Sequence, residues 1–308
     1  MKKVVTIGGG TGQYTLLRGL KNYDAHLSAI VSMFDNGGSS VKLRVEFGIL
    51  PPGDLRNCLL ALSDESELKE LMKLFEYRFS ETLSNHSLGN LILTALTNIE
   101  GDIGKAVKTC SKILNIKGKV IPVSLDSSSL QGITNEGKQL NGEVEVSYPK
   151  SSLDKIWLSP ESFIFKEAAD EIRNADLIVI CPGDLYGSIL PNFLVKGMKE
   201  AIQESKARIV YVCNLVTKQG THGFKASDFV SEIEKYLAKK IDYVILNTKK
   251  PDQRVVDKYL QEDSYFVEPN LEGRGIIKEE LLLEHFSDNK IIARHNPEKT
   301  ARVIFSLV

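Results

Sequence analysis

The chemistry this chain could do is concentrated in a few short stretches of glycine, acid, amide and base. The first is Gly8-Gly9-Gly10-Thr11-Gly12, directly after the apolar run Val4-Val5-Thr6-Ile7. Glycines let a backbone approach a ligand and adopt positive φ. The helical pattern that follows, with Leu16, Leu17 and Leu20 on one face, offers unpaired N–H groups to an anion. Phosphate is the expected guest, which makes Gly9, Gly10, Thr11 and Gly12 candidate ligand contacts. The spacing is not a dinucleotide fingerprint: Gly8 and Gly10 fit the first and third places, but Gln13 stands at the sixth. It is not a P-loop either, because no Gly-Lys-Ser/Thr follows.

The second stretch, Asp35-Asn36-Gly37-Gly38-Ser39-Ser40, follows another strand-like run, Leu27 to Met33. Asp35 lies where a ribose-binding acid stands in a nucleotide fold. The paired glycines and serines supply the donors of an anion nest, and Lys42 and Arg44 could neutralise phosphate. In Pro51-Pro52-Gly53-Asp54-Leu55-Arg56-Asn57, Asp54 is either the cap of the following helix or a ligand for a metal ion or a hydroxyl. Arg56, on the first turn, binds phosphate or stays solvated. Asn85-His86-Ser87-Leu88-Gly89-Asn90 opens an apolar helix, and capping leaves His86 and Asn90 as spare donors. Any catalysis would draw on Asp35 and Asp54, which are also the candidate Mg2+ ligands, and on His86 as a base.

These stretches need a scaffold that gathers them. Almost wholly apolar runs at Ala175–Cys181, Arg208–Cys213 and Asp242–Leu246 read as buried parallel strands. They end in polar tips that include Gly183, Asn214, Thr217 and Asn247. In an open parallel sheet, ligands bind beyond the carboxyl ends of the strands, so the tips should converge on one cleft. From about 119 to 158 the texture changes to short alternating runs such as Val120–Val123 and Glu143–Val146, which predicts a β-rich insertion. A helix is expected near Phe163–Arg173, a further one over Lys249–Leu260 and a closing one at Pro297–Leu307. The chain reads as one α/β domain, residues 1–308, with a mostly parallel sheet.

Composition sets bounds on partners. The 308 residues carry a net charge of −1, with 42% hydrophobic and 26% charged residues, as in an ordinary globular protein. No basic field calls for nucleic acid or an anionic membrane. No apolar run is long enough to span a bilayer, and the N-terminus runs straight into a strand, so a cytoplasmic protein is expected. The four cysteines are too far apart for a Cys-x-x-Cys site and read as buried thiols.

Taken together, Gly8–Gly12, Asp35–Arg44, Pro51–Asn57, His86–Asn90, Pro182–Asn192 and Asn214–Gly223 resemble the YvcK-type gluconeogenesis factor family. That family is related to the 2-phospho-L-lactate transferases (CofD). Gly48-Ile49-Leu50-Pro51-Pro52-Gly53-Asp54-Leu55-Arg56-Asn57 is the most telling stretch. The resemblance implies a Rossmann-like, three-layer α/β/α protein that binds UDP-sugars such as UDP-N-acetylglucosamine. It also implies a link to cell shape and wall synthesis in gluconeogenic growth, with cell-wall synthesis proteins and a second copy of the chain as conceivable partners. Its transferase relatives use a metal ion and an activated nucleotide diphosphate, and their deazaflavin-site acid falls in the loop matching Asp35-Asn36. The chain departs from the family pattern in four places, one of them Val41-Lys42-Leu43-Arg44 where the family has Gly-Arg-Leu-Arg. Asn36 stands for a second Asp. Asp184 and Gly187 stand in Pro182–Ser188 for Ser and Thr. Thr217-Lys218-Gln219-Gly220-Thr221 is one residue short and lacks a Glu.

Three functions compete. A UDP-sugar-binding regulatory protein would cradle the diphosphate on Gly8–Gly12 and Gly37–Ser40. Asn214, Asn247 or Asp35 would then read hydroxyls or base, and Arg44 or Arg56 would balance charge. A CofD-like Mg2+-dependent transferase would use the same cleft. An NAD(P) oxidoreductase is disfavoured by the imperfect fingerprint.

Overall fold

The computed structural model describes residues 1–64, 68–287 and 290–308. In chain order the strands are β1 (Lys2–Gly8), β2 (Ala25–Val31), β3 (Lys119–Pro122), β4 (Ser129–Thr134), β5 (Gln139–Asn141), β6 (Leu153–Ser159), β7 (Leu177–Ile180), β8 (Arg208–Val212), β9 (Tyr243–Asn247), β10 (Ile276–Glu279), β11 (Leu282–Ser287) and β12 (Lys290–His295). The helices of the first half are α1 (Gly10–Leu20), α2 (Gly38–Phe47), α3 (Gly53–Leu62), α4 (Lys69–Glu76), α5 (Leu88–Glu100), α6 (Ile103–Ile113) and α7 (Glu143–Ser147). Those of the second half are α8 (Lys166–Arg173), α9 (Leu190–Leu194), α10 (Met198–Glu204), α11 (Ala226–Leu237), α12 (Gln253–Gln261) and α13 (Pro297–Phe305).

Seven strands form one sheet in the order β10-β9-β8-β7-β1-β2-β3, and every pairing in it is parallel. The apolar runs explain the centre: all of β7, and β1 from Val4 onward, are buried. Strands covered on both faces lose the in-out alternation that a half-exposed strand keeps. Strand order runs outward from β1 in one direction and from β7 in the other. Right-handed crossovers in opposite directions put helices on opposite faces. Thus α1 packs on α3 and α13, and α8 packs on α10. The expected Rossmann-like α/β architecture is the one observed.

Two expectations are corrected. Val120–Val123 does not begin the insertion, because β3 pairs with β2 as the edge of the main sheet. The inserted piece is the antiparallel sheet β5-β4-β6, residues 129–159, together with α7. Glu143–Val146 is not a strand. Gly142, at φ 89°, turns the chain out of β5, and Glu143 Oε1 accepts a hydrogen bond from Ser147 Oγ one helical turn on (3.0 Å). All four cysteines are buried and free. Among the described residues, no helix is long and apolar enough to cross a membrane.

Candidate functional site

The sheet order reverses between β1 and β7, and the turns after these two strands touch. A cavity of about 380 Å³ opens there, with Gly9–Gly12 on its floor and Pro182, Gly183 and Asn214 beside it. The glycines serve different ends. A Cβ on Gly9 would lie 2.8 Å from Asp54 Oδ2 and 3.2 Å from Ser32 Cβ. Gly10 sits at φ 65°, a left-handed conformation that disfavours side chains. A Cβ on Gly12 would fall 1.7 Å from the Pro182 carbonyl oxygen, so Gly12 is what lets α1 start against the β7 turn.

Asp54 is the acid nearest the loop. It is not the cap of α3: Pro52 holds that place and Asp54 stands in the first turn. Burial, and then the charge of Asp35, push its pKa up to about 7, with the Gly10 backbone N–H opposing. Asp35 itself accepts a hydrogen bond from the Gly37 amide (2.8 Å). A third acid, Glu143, arrives from the insertion. Burial raises it to about 7 as well, assisted by Asp35 and Asp184 and opposed by the Ser147 hydrogen bond and Lys218. Asp184 is neutralised directly by Lys218, at 2.8 Å.

Several residues singled out in the sequence are committed to scaffold contacts, and of those that follow only Asn214 lines this cavity. Asn36 Oδ1 accepts from the Val144 amide (2.9 Å) and so tethers the insertion. Arg44 donates to Ser127 Oγ and the Ser128 carbonyl, on the connection into β4. Arg56 donates to Ser87, to Asn90 Oδ1 (3.1 Å) and to Asn57 Oδ1 (2.8 Å), which clamps α3 to the start of α5. Ser87 caps α5 by accepting from the Asn90 amide. His86 is buried, Nδ1 has no hydrogen-bond partner, and burial lowers its pKa. Thr217 pairs with Tyr265 through backbone and hydroxyl. Asn214 donates to the Gly183 carbonyl and accepts from Tyr211 (2.8 Å), which fixes it at the cavity wall. Gly38 begins α2, and the side chains of Ser39 and Ser40 lie outside the described residues.

The opposite wall comes from a stretch without a sequence motif. The hairpin β11–β12 brings Ala293, Arg294 and His295 to face the glycine loop. Asn247 is the anchor: its Oδ1 accepts from the Leu281 and Leu282 amides (3.0 and 2.9 Å) and its Nδ2 donates to the Lys249 carbonyl. That carboxamide is committed to the hairpin and not to reading a ligand. Tyr259 supports the same hairpin by accepting from the Ala293 amide (3.0 Å). Arg294 donates to the Ala293 carbonyl (2.9 Å) and makes no ion pair among the described residues. The His295 ring is buried and Nε2 has no partner. Burial pushes its pKa down to about 4, so it is neutral at physiological pH. The one sequence signal for this wall was a charged strand end, Arg294-His295, running into the helix start Asn296-Pro297.

Beyond Asn214 and Leu215 lies a second, mainly apolar slot of about 200 Å³, lined by Leu246, Pro251, Phe266 and Val267. A glycine floor, a cation opposite it and an apolar slot next door suit a ligand with an anionic middle and a flat apolar end.

Comparison with known proteins bears on the same residues. The family model described as 2-phospho-L-lactate transferase CofD matches residues 4–285. The chain is 44% identical over 98% of its length, and 98% of the relative's, to a putative gluconeogenesis factor from Thermotoga maritima. The chain belongs to the CofD-like gluconeogenesis factor family. It is also 39% identical to the gluconeogenesis factor of Bacillus subtilis, over 99% of the chain and 98% of that protein. A crystal structure of a UPF0052 family member from Bacillus halodurans superposes with a TM-score of 0.92 at 40% identity, covering 99% of each chain.

Proposed function

We propose that the cleft binds a nucleoside diphosphate sugar, of which UDP-N-acetylglucosamine is the test case, and that the protein is a binding, regulatory member of its family. The observation that carries this reading is the glycine floor at the β1/β7 switch point facing Arg294, with an apolar slot one residue away. Backbone amides and a guanidinium suit phosphoryl oxygens. The slot suits the base, where Phe266 offers an aromatic surface. In this reading the protein works in the cytoplasm, and the loaded state is what couples it to cell shape and wall synthesis during gluconeogenic growth. The same proposal expects no nucleic-acid partner and no membrane insertion, and includes self-association and contact with cell-wall synthesis proteins.

A CofD-like transferase is the second reading, favoured by two carboxyl groups, Asp54 and Glu143, both held near pH 7. Among the described residues, no group of three His, Cys, Asp or Glu is arranged to hold a metal ion. Mg2+ here would fit only as Mg2+ usually does beside phosphates, on one or two carboxylates, Asp54 and Asp35, with the ligand completing its shell. Mg2+-dependent turnover of a nucleotide diphosphate would favour this second reading.

The test is thermal melting with UDP-N-acetylglucosamine or NADH. Occupancy at 100 times the dissociation constant adds about 2.7 kcal/mol of stability. A rise with the UDP-sugar and none with NADH is expected. The reverse pattern, or no rise with millimolar UDP-sugar, overturns the reading.

A further inference from the structure

The turn after β7 and the loop after β8 meet at the ion pair Lys218–Asp184, and both side chains line the glycine cleft. Asp184 is the fixed partner. Its Oδ1 accepts from the Gly187 amide (3.0 Å) and its side chain is only 7% exposed. The Lys218 backbone is fixed too: its amide donates to Thr221 Oγ1 (2.9 Å) and its carbonyl accepts from the Thr221 amide (2.8 Å). The ammonium lies over the Tyr148 ring, 5.3 Å from its centroid, and the side chain is 43% exposed. An ammonium has three N–H donors, and Asp184 Oδ2 takes one.

Lys218 also stands against the two carboxylates that crowd Gly187. A Cβ there would lie 2.8 Å from Glu143 Oε1 and 3.2 Å from Asp184 Cγ. Without a cation at this corner, an anion on the glycine floor would face Asp184, which lines the same cavity. With Lys218 present, Asp184 is neutralised and the remaining N–H donors are free to point into the cavity.

We propose that Lys218 contacts the ligand's phosphoryl oxygens directly, as the partner of Arg294, and that Asp184 is a positioning residue that aims it. This rests on the nucleotide-diphosphate reading of the same cleft. The alternative role for Lys218 is to cancel the charge of Asp184 and nothing more.

A double-mutant cycle separates the two roles. UDP-N-acetylglucosamine and UDP are titrated calorimetrically into the wild type, Lys218→Gln, Asp184→Asn, the double variant and Lys218→Arg, with melting curves to verify that each is folded. Lys218→Gln should weaken binding about tenfold, the size of one charge-assisted contact. Asp184→Asn should weaken it less. The double variant should bind no better than Lys218→Gln, and Lys218→Arg should stay within a few-fold of wild type. A double variant restored to wild-type affinity, or an Arg variant as weak as the Gln variant, overturns the inference and leaves the nucleotide reading standing. A wild type that binds neither probe overturns both.

Discussion

Behind the glycine loop that floors the cleft, Asp54 is half-buried; loss of solvent, and after it the charges of Asp35 and Glu143, raise its pKa to about 7. On the other side of the cleft, Arg294 extends from β12 and makes no ion pair among the described residues, and His295 is held neutral. The first wall is built from turns that follow strands β1 and β2 and from the insertion. The second is a hairpin held by Asn247 and Tyr259. Charge on the acid wall varies near neutral pH, whereas the guanidinium is permanently charged. On the reading proposed above, anion affinity in this cleft would depend on the hairpin, and the acids behind the glycine loop would tune it.

The largest effect should follow from breaking the acid wall's floor. Gly12→Ala sets a methyl group 1.7 Å from the Pro182 oxygen, a backbone atom that cannot step aside. The turns after β1 and β7 must separate, and we expect a loss of more than about 3 kcal/mol in denaturant unfolding. A loss below about 1 kcal/mol would mean that this close approach does not hold the two turns together.

A smaller effect tests the charge of that wall. Asp54 has its folded-state pKa raised from 3.8 to about 7. Stability from such a group is complete below the unfolded value and is lost as pH rises through the folded one. Asp54→Asn removes this loss, so the variant should gain on the wild type as pH rises from about 4 to 8. Three units of pH correspond to about 4 kcal/mol as an upper figure. Melting curves at pH 5 and pH 8 check it; an unchanged difference between the two proteins would show that Asp54 ionises freely.

How much of this was legible in the sequence follows from the same contrast. Apolar strands ending in glycine or polar tips fixed the parallel sheet and the glycine floor, because burial on both faces and positive φ leave marks in residue type. Arg56, Asn36 and Asn247 looked like ligand contacts because a polar residue at a strand or helix end has the same appearance whether it grips a ligand or a neighbouring backbone. Only the partners decide, and here they are Asn90, the Val144 amide and the Leu281 and Leu282 amides. Arg294 could not be found from local pattern, since its place opposite Gly10 is set by Asn247 and Tyr259, which hold its hairpin and lie far along the chain from the loop it faces. Glu143 was misread as part of a strand because Glu-Val-Glu-Val alternates, while Gly142 and the Ser147 hydrogen bond make it a helical turn.

Calorimetric titration of UDP-N-acetylglucosamine into the wild type and into Arg294→Ala probes the joint between the two walls. If the hairpin closes one anion-holding cleft over the glycine loop, the wild type binds and the variant, still folded, binds at least about tenfold more weakly. Equal affinities in the two proteins would contradict it.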